Sequence, residues 1–210
     1  MDSAQIMHTR RRWLGMAAVL AGGAWLGTGI ARAHDGHQHG ASASGAGGYS
    51  TSMRAYTVPD LALLDRDARP VRLRETLAAT DPVMMNFIFT TCTAICPVMS
   101  SIFAEVPGQL GAEAARLRMI SISIDPENDT PSQLRAYASK FDAGPRWQFL
   151  TGSLENIVSV QRAFDNYRGD KMNHDPLTLL RAGPGKPWLR IEGFASPEDL
   201  AREYRKIAQR

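Results

Sequence analysis

VMMNFIFTTCTAICPVMSSIF, residues 83–103, combines an apolar strand, a short loop and the start of a helix. Its first seven residues form an apolar run of strand length, which is typical of a strand covered on both faces of a sheet. A helix is predicted from about Pro97 to Leu110. Cys92 therefore lies in the strand-to-helix loop and Cys96 at the helix N-terminus. Open α/β sheets place their functional sites at this position, outside the carboxyl end of a parallel strand.

Strand and helix patterns alternate on both sides of this stretch. The predicted strands are 61–65, 70–73, 83–89, 118–125, 147–151, 177–182 and 188–193. Further helices are predicted after Thr130, Ser153 and Ser196, whose hydroxyls are favoured at helix N-caps. The order predicts an α/β fold with a central mixed sheet flanked by helices, an N-terminal hairpin and an antiparallel edge.

The first 53 residues have a different character. Residues 1–33 have an arginine-rich start, an apolar middle and an Ala-Arg-Ala end, which is the anatomy of a secretory signal. The order Thr-Arg-Arg-Arg-Trp-Leu at 9–14 is similar to a twin-arginine signal. An uncleaved membrane anchor is the alternative, although several glycines weaken a spanning helix. The prediction is a twin-arginine-type signal at 1–33, a flexible linker at 34–53 and the folded domain at 54–210.

The linker is rich in glycine, serine and alanine, and it carries His34, His37 and His39. Such a composition buries too little apolar surface to fold by itself. A short histidine-rich tract either captures a transition metal weakly or is a soluble spacer, and both interpretations stay open.

The net charge and the expected cellular compartment limit the possible functions. The chain has 24 Lys and Arg against 21 Asp and Glu, and residues 1–33 hold four of the arginines and one aspartate, so the remainder is neutral. A neutral domain gives no sign of a nucleic-acid-binding surface. Export predicts an oxidising, periplasm-like setting, with inner-membrane anchoring as the alternative, where an adjacent cysteine pair forms a disulfide unless a thiol reductant keeps it reduced.

The two cysteines suggest a redox or metal-binding role rather than a structural disulfide. A disulfide between Cys92 and Cys96 closes a very short loop and constrains little of the unfolded chain. A helix N-terminus lowers the pKa of a nearby thiol, which favours nucleophilic attack or metal binding. The choice between a redox pair and a metal site depends on a third residue.

That third residue is His174, the one histidine of the predicted domain. It lies in a loop just before the strand that begins near Leu177. A lone loop histidine is commonly a surface residue, but here the loop is expected to face the cysteines. Two thiolates and one imidazole form a soft donor set that suits copper, above all Cu(I). Zinc usually takes four ligands in a closed site, and no fourth strong donor is evident.

Four segments in order resemble the Sco (SenC/PrrC) family: FTTCTAICPVM, ISISIDPENDTPSQLRAYASKF, FLTGSLENI and then His174. The resemblance covers about residues 81–174. It implies a thioredoxin-like fold, copper as the bound ion, and a role in assembling the copper centre of cytochrome c oxidase. It also implies that Cys92, Cys96 and His174 are the copper ligands. Asp125 and Asp129 then belong to the adjoining loop, either in the surroundings of the site or in partner docking.

The leading interpretation is a copper chaperone rather than an enzyme, serving a cytochrome c oxidase subunit or another periplasmic copper protein. The main alternative is a thiol–disulfide oxidoreductase, in which one cysteine attacks a disulfide and the other resolves it. Its usual spacing is two intervening residues, whereas three separate Cys92 from Cys96. A peroxiredoxin-like peroxidase is a further alternative, but its motif matches this sequence less well than that of an oxidoreductase. A sensor of copper or of redox state is also possible, and the sequence cannot separate it from a chaperone because both use the same cysteines and histidine.

Overall fold

A computed structural model describes residues 43–44 and 48–209 of the chain. The predicted signal at 1–33 and most of the predicted linker therefore lie outside the described residues. Within the described part, no helix is both long and apolar enough to cross a bilayer.

The strands are β1 (Ala43–Ser44), β2 (Tyr49–Arg54), β3 (Ala62–Asp65), β4 (Pro70–Arg72), β5 (Val83–Ile88), β6 (Arg118–Ser123), β7 (Trp147–Thr151), β8 (Leu177–Arg181) and β9 (Trp188–Gly193). The helices are α1 (Leu73–Leu77), α2 (Ile95–Leu110), α3 (Pro131–Lys140), α4 (Leu154–Ala163) and α5 (Pro197–Ala208). Short 3-10 helices cover Gly111–Arg116 and Lys171–Asn173. The Thr130, Ser153 and Ser196 side chains accept hydrogen bonds from the first turns of α3, α4 and α5, as predicted.

One mixed sheet organises the described chain, in the order β1-β2-β9-β8-β5-β6-β7-β3-β4. Strands β5, β6 and β7 are parallel, whereas β8, β9 and β2 continue the sheet in antiparallel fashion. Every residue of β5 is buried, as the apolar run predicts for a strand with helices on both faces. The α/β, thioredoxin-like fold class is confirmed. The predicted N-terminal hairpin is β3–β4.

The predicted linker ends earlier than residue 53. Strand β2 pairs with β9 over its whole length, from Tyr49 opposite Gly193 to Arg54 opposite Trp188. Tyr49 is buried, and its hydroxyl contacts Glu203 and Arg202 of α5. The composition of residues 34–53 does not indicate this strand, because its residues are mostly small and hydroxylated and lack an alternating apolar pattern. The strand is stabilised by pairing with β9, which is distant in sequence.

Topology brings the two ends of the site together. Strand β8 runs antiparallel to β5, with Asn86 opposite Thr178. The start of β8 therefore lies beside the end of β5. The loop that leaves β5 carries Cys92, and the segment that enters β8 carries His174, so both meet at one edge of the sheet.

Candidate metal centre

The side chains of Cys92, Cys96 and His174 converge, and their ligand atoms all lie within 4.8 Å of one another. Both cysteines are free thiols. Cys92 is partly exposed, Cys96 lies in the first turn of α2 with 1% of its surface exposed, and His174 is 7% exposed. The site therefore has a buried interior and one face open to solvent, on the side of Cys92.

Cys92 is surrounded by backbone donors. The N–H of Cys96 donates to its Sγ over 3.4 Å. Burial of Cys92 opposes ionisation, but the backbone N–H groups of Cys96, Ala94 and Ile95 outweigh it and lower the pKa of Cys92. These amides lie at the start of α2, but they act on Cys92 in the loop rather than on Cys96, the thiol that the sequence places at the helix N-terminus.

The prediction of a lowered pKa for the thiol at the helix N-terminus, Cys96, is wrong, because burial outweighs the effect of the helix. Burial raises the pKa of the Cys96 thiol far above its ordinary value, and neighbouring Cys92 raises it further. The one backbone donor to its Sγ is Phe89, over 3.4 Å. In the absence of a metal, Cys96 is therefore a protonated thiol at neutral pH, while Cys92 ionises more readily.

His174 is held in one tautomer by its own loop. Its Nδ1 lies 2.8 Å from the carbonyl oxygen of Lys171. Because a carbonyl oxygen can only accept, Nδ1 carries the hydrogen, and in the neutral ring Nε2 keeps a free lone pair. Nε2 lies 3.5 Å from Sγ of Cys96, whose thiol hydrogen it accepts. The lone pair that a metal needs therefore faces Sγ of Cys96, and Sγ of Cys92 lies within 4.8 Å of the same ligand group.

An aromatic wall fixes the ring plane of His174. The Phe89 ring meets the imidazole edge to face, with centroids 5.0 Å apart. The Lys171 ammonium lies 5.6 Å from the centroid of the same phenyl ring. Phe89 follows the last residue of β5, so the sheet itself sets the orientation of the histidine.

Asp125 supports the histidine loop from outside. Its carboxylate lies 2.6 Å from Nζ of Lys171 and also accepts two hydrogen bonds from the Asn128 amide. The carbonyl of the same Lys171 orients His174, so Asp125 is two contacts away from the imidazole. This places one of the two predicted loop aspartates in the surroundings of the site.

Asp129 stabilises the loop that carries the cysteines. The buried carboxylate accepts from the backbone N–H and the hydroxyl of Thr90, at 2.6 to 3.2 Å, and from the Ser123 hydroxyl at 2.6 Å. Burial raises the pKa of Asp129, although these donors partly offset the rise. Thr90 precedes Cys92 by two residues, so Asp129 fastens the base of the cysteine loop to the end of β6.

Sequence reasoning missed Lys171, Thr90 and Ser123 as partners of the site. One feature of the sequence could have indicated Lys171, because it precedes His174 by only three residues. No local pattern marks a hydroxyl as the partner of an aspartate far along the chain.

Chemically, the three donors form an open soft site. Thiolate sulfur and imidazole nitrogen are ligands that copper prefers, and three ligands leave room for an exchanging fourth. Among the described residues, the Cys–Cys–His set is the group whose histidine, cysteine and carboxylate atoms are close enough to hold a metal.

Fold and site together define a thioredoxin-like protein with a metal-competent dithiol–imidazole centre. The SCO1/SenC family model matches residues 50–209 of the chain, which therefore belongs to the SCO1/SenC family. The predicted family is confirmed. A relative, the SCO1 protein homolog of Bacillus subtilis, is 38% identical over 104 residues, which cover 49% of this chain and 53% of that protein. The match thus spans about half of the relative's length.

Two solved structures extend the likeness across the whole domain. One is described as Bradyrhizobium japonicum ScoI with copper bound; it is 25% identical, with a TM-score of 0.58, covering 72% of this chain and 99% of that one. The other is BsSco, described as a member of the Sco family of cytochrome c oxidase assembly proteins with a disulfide switch. It is 30% identical, with a TM-score of 0.62, covering 73% of this chain and 94% of that one.

Proposed function

We propose that this protein binds copper through Cys92, Cys96 and His174 and passes it to another protein. The observation that carries the proposal is the convergence of two sulfurs and the free Nε2 lone pair within 4.8 Å at one open edge of the sheet. The copper-bound relative supports the choice of ion.

The geometry suits transfer as well as binding. Cys96 and His174 are anchored in the protein interior, whereas Cys92 is partly exposed. A partner's ligand can therefore approach the metal from the side of Cys92 while the other two ligands still hold it. Thiolates favour Cu(I), and the imidazole adds a donor that Cu(II) accepts well.

The proposed receiver is a copper centre of cytochrome c oxidase or another copper protein outside the cytoplasm. The description of BsSco as a member of a family of cytochrome c oxidase assembly proteins supports this choice. The arginine-rich start of the chain supports export to a periplasm by the twin-arginine route. There, copper loading needs a thiol reductant, because only reduced cysteines bind the metal.

A second candidate function is thiol–disulfide exchange, and the asymmetry of the two cysteines favours it. Cys92 is the more accessible thiol and the one with the lowered pKa, as expected of an attacking cysteine. Cys96 is buried behind it, as expected of a resolving cysteine. The two functions are compatible, since oxidation of the pair releases copper.

The replacement His174→Ala separates the functions. It keeps both thiols, so Cu(I) binding and disulfide formation should persist, whereas Cu(II) should lose its nitrogen side-chain donor. We expect Cu(II) affinity to fall by more than the roughly 10- to 100-fold typical of residues that support a ligand. The thiolate-to-Cu(II) charge-transfer absorption should disappear or shift. Asn173→Ala, a neighbouring exposed change, is the matched control and should leave the spectrum intact.

Cys92→Ser or Cys96→Ser should remove tight binding of both oxidation states and also prevent the disulfide. If His174→Ala binds Cu(II) with parent affinity and spectrum, the three-ligand site is wrong. If the parent protein retains little copper while exchanging disulfides rapidly, the oxidoreductase function replaces the chaperone.

A further inference from the structure

A cleft of about 470 Å³ opens beside the metal centre, and His174 is part of its wall. The loop after β6, helix α4 and the segment 166–171 form its sides. Its volume lies in the range of clefts that hold small ligands or a few side chains of a peptide. The proposed copper transfer takes place on the side of Cys92, which does not line this cleft, so the cleft has no assigned role.

Exposed apolar side chains gather at this cleft. Leu154, 53% exposed, and Tyr167, 39% exposed, both line it. Met172, 69% exposed, follows the lining residue Lys171 in the chain but does not itself line the cleft. Leu154 and Tyr167 are two of the seven large apolar side chains that are exposed in the described part of the chain, and exposed apolar side chains on a concave surface are typical of an interaction site.

The charges of the cleft are unequal. Its two cations are neutralised, Lys171 by Asp125 at 2.6 Å and Arg168 by Asp175 at 3.2 Å. Two more carboxylates line the cleft, those of Glu127 and Asp170.

Among the described residues neither Glu127 nor Asp170 lies within salt-bridge distance of a cation, although Glu127 acts electrostatically on Lys171 and the Asp170 carboxylate accepts a hydrogen bond from the Met172 N–H. Arg162 lies over the Tyr167 ring, 4.8 Å from its centroid, but is not part of the lining. The cleft is therefore lined by three carboxylates, those of Asp125, Glu127 and Asp170, against two cations, and its excess charge is negative.

We propose that this cleft docks a basic segment of the protein that exchanges copper with this one. An aliphatic side chain of the segment enters the cleft beside Leu154 and Val158, and a lysine or arginine next to it pairs with Glu127. Docking there brings the partner's ligands to the metal centre, because His174 is shared by the cleft and the site. The inference rests on the proposed function for its purpose, but its test needs no copper.

The test is an NMR titration of the ¹⁵N-labelled, reduced, copper-free protein with blocked tripeptides. Acetyl-Lys-Leu-Lys-amide should shift the backbone signals of Val158, Gly169 and Lys171 and reach saturation. Acetyl-Lys-Gly-Lys-amide should bind roughly tenfold more weakly or worse, because it lacks the side chain that is buried. Acetyl-Glu-Leu-Glu-amide should not bind.

Two charge-neutralising variants complete the experiment. Glu127→Gln should weaken Lys-Leu-Lys binding roughly two- to fivefold, as expected for one exposed ion pair. Glu105→Gln, an exposed change on α2 that does not line the cleft, should leave binding unchanged. Copper affinity measured on both variants should equal that of the parent.

Three results would overturn the proposal. If the basic and acidic peptides bind equally, the negative charge of the cleft does not select its partner. If the Leu and Gly peptides bind equally, no aliphatic side chain enters the cleft and the binding is non-specific electrostatic attraction. Shifts confined to another surface assign the peptide elsewhere. If the parent protein fails to bind copper, by contrast, the proposed function is wrong, but the expected peptide results do not change.

Discussion

The carbonyl oxygen of Lys171 accepts a hydrogen bond from Nδ1 of His174 over 2.8 Å, while the ammonium of the same lysine contacts Asp125 at 2.6 Å. One residue thus joins the orientation of the imidazole to the loop that follows β6. Interactions of this kind fix the tautomer of a ligating histidine and are known to change metal affinity when they are lost.

Asp125→Asn should therefore weaken Cu(II) binding through His174. The neutral amide cannot hold the Lys171 ammonium as strongly, so the carbonyl that orients the imidazole gains freedom. We expect roughly a 10- to 100-fold loss of Cu(II) affinity in a chelator competition. Disulfide formation by the cysteines should be unchanged. Asp142→Asn, at an exposed aspartate away from the site, is the control. Parent affinity in Asp125→Asn would show that the loop is rigid without the ion pair.

The two thiols should react with an alkylating reagent at different rates. Cys92 is partly exposed and has the lowered pKa, whereas Cys96 is buried and has the raised one. Brief iodoacetamide treatment of the reduced, copper-free protein should label Cys92 first, as located by fragment mass spectrometry. In urea, where both environments are lost, the two rates should converge. Equal labelling of the native protein would contradict the asymmetry on which both proposed functions draw.

Copper affinity should rise with pH. The raised pKa of Cys96 keeps its thiol protonated across the neutral range, so metal binding must release that proton. Apparent Cu(I) affinity should increase by about tenfold per pH unit for each proton released, until the pH exceeds the pKa of the thiol. Competition with a Cu(I) chelator between about pH 6 and 8 measures the slope. A flat profile would mean that no thiol proton is displaced.

Asp129→Ala should destabilise the fold and loosen the cysteine loop. The change removes the acceptor of the Thr90 and Ser123 donors, which are buried or nearly so. Losing such an acceptor costs roughly 1–3 kcal/mol of unfolding free energy, measurable by urea denaturation. Asp129→Asn keeps an amide oxygen for Thr90 and should cost less. If Asp129→Ala is as stable as the parent, the network contributes nothing to the fold.

Export should depend on the arginine pair. Replacing Arg10 and Arg11 with lysine should leave the precursor in the cytoplasm if the twin-arginine route is used. Cell fractionation reports the location, and the mass of the exported form shows whether His34 becomes the first residue. Normal export of the double variant would point to another route.

Local patterns predicted the parts of this protein that depend on neighbours in the sequence. The strand–loop–helix around Cys92 and Cys96 follows from an apolar run and a helix start. The helix starts at Thr130, Ser153 and Ser196 follow from side chains that bond to the turn beside them. The expected position of its loop opposite the cysteines made His174 the candidate third residue, and the family resemblance then implied that it is a copper ligand.

The sequence by itself thus determined the residue types, their order and the fold class. Tertiary structure decided which thiol is buried, which nitrogen of His174 is free, and that β2 joins the sheet. The contacts responsible join positions far apart in the chain: Lys171 is 46 positions from Asp125, and His174 is 78 positions from Cys96. Periodicity and capping act over one or two turns. The pairing of β8 with β5 brings these distant groups within bonding distance, and it forms only when the sheet assembles.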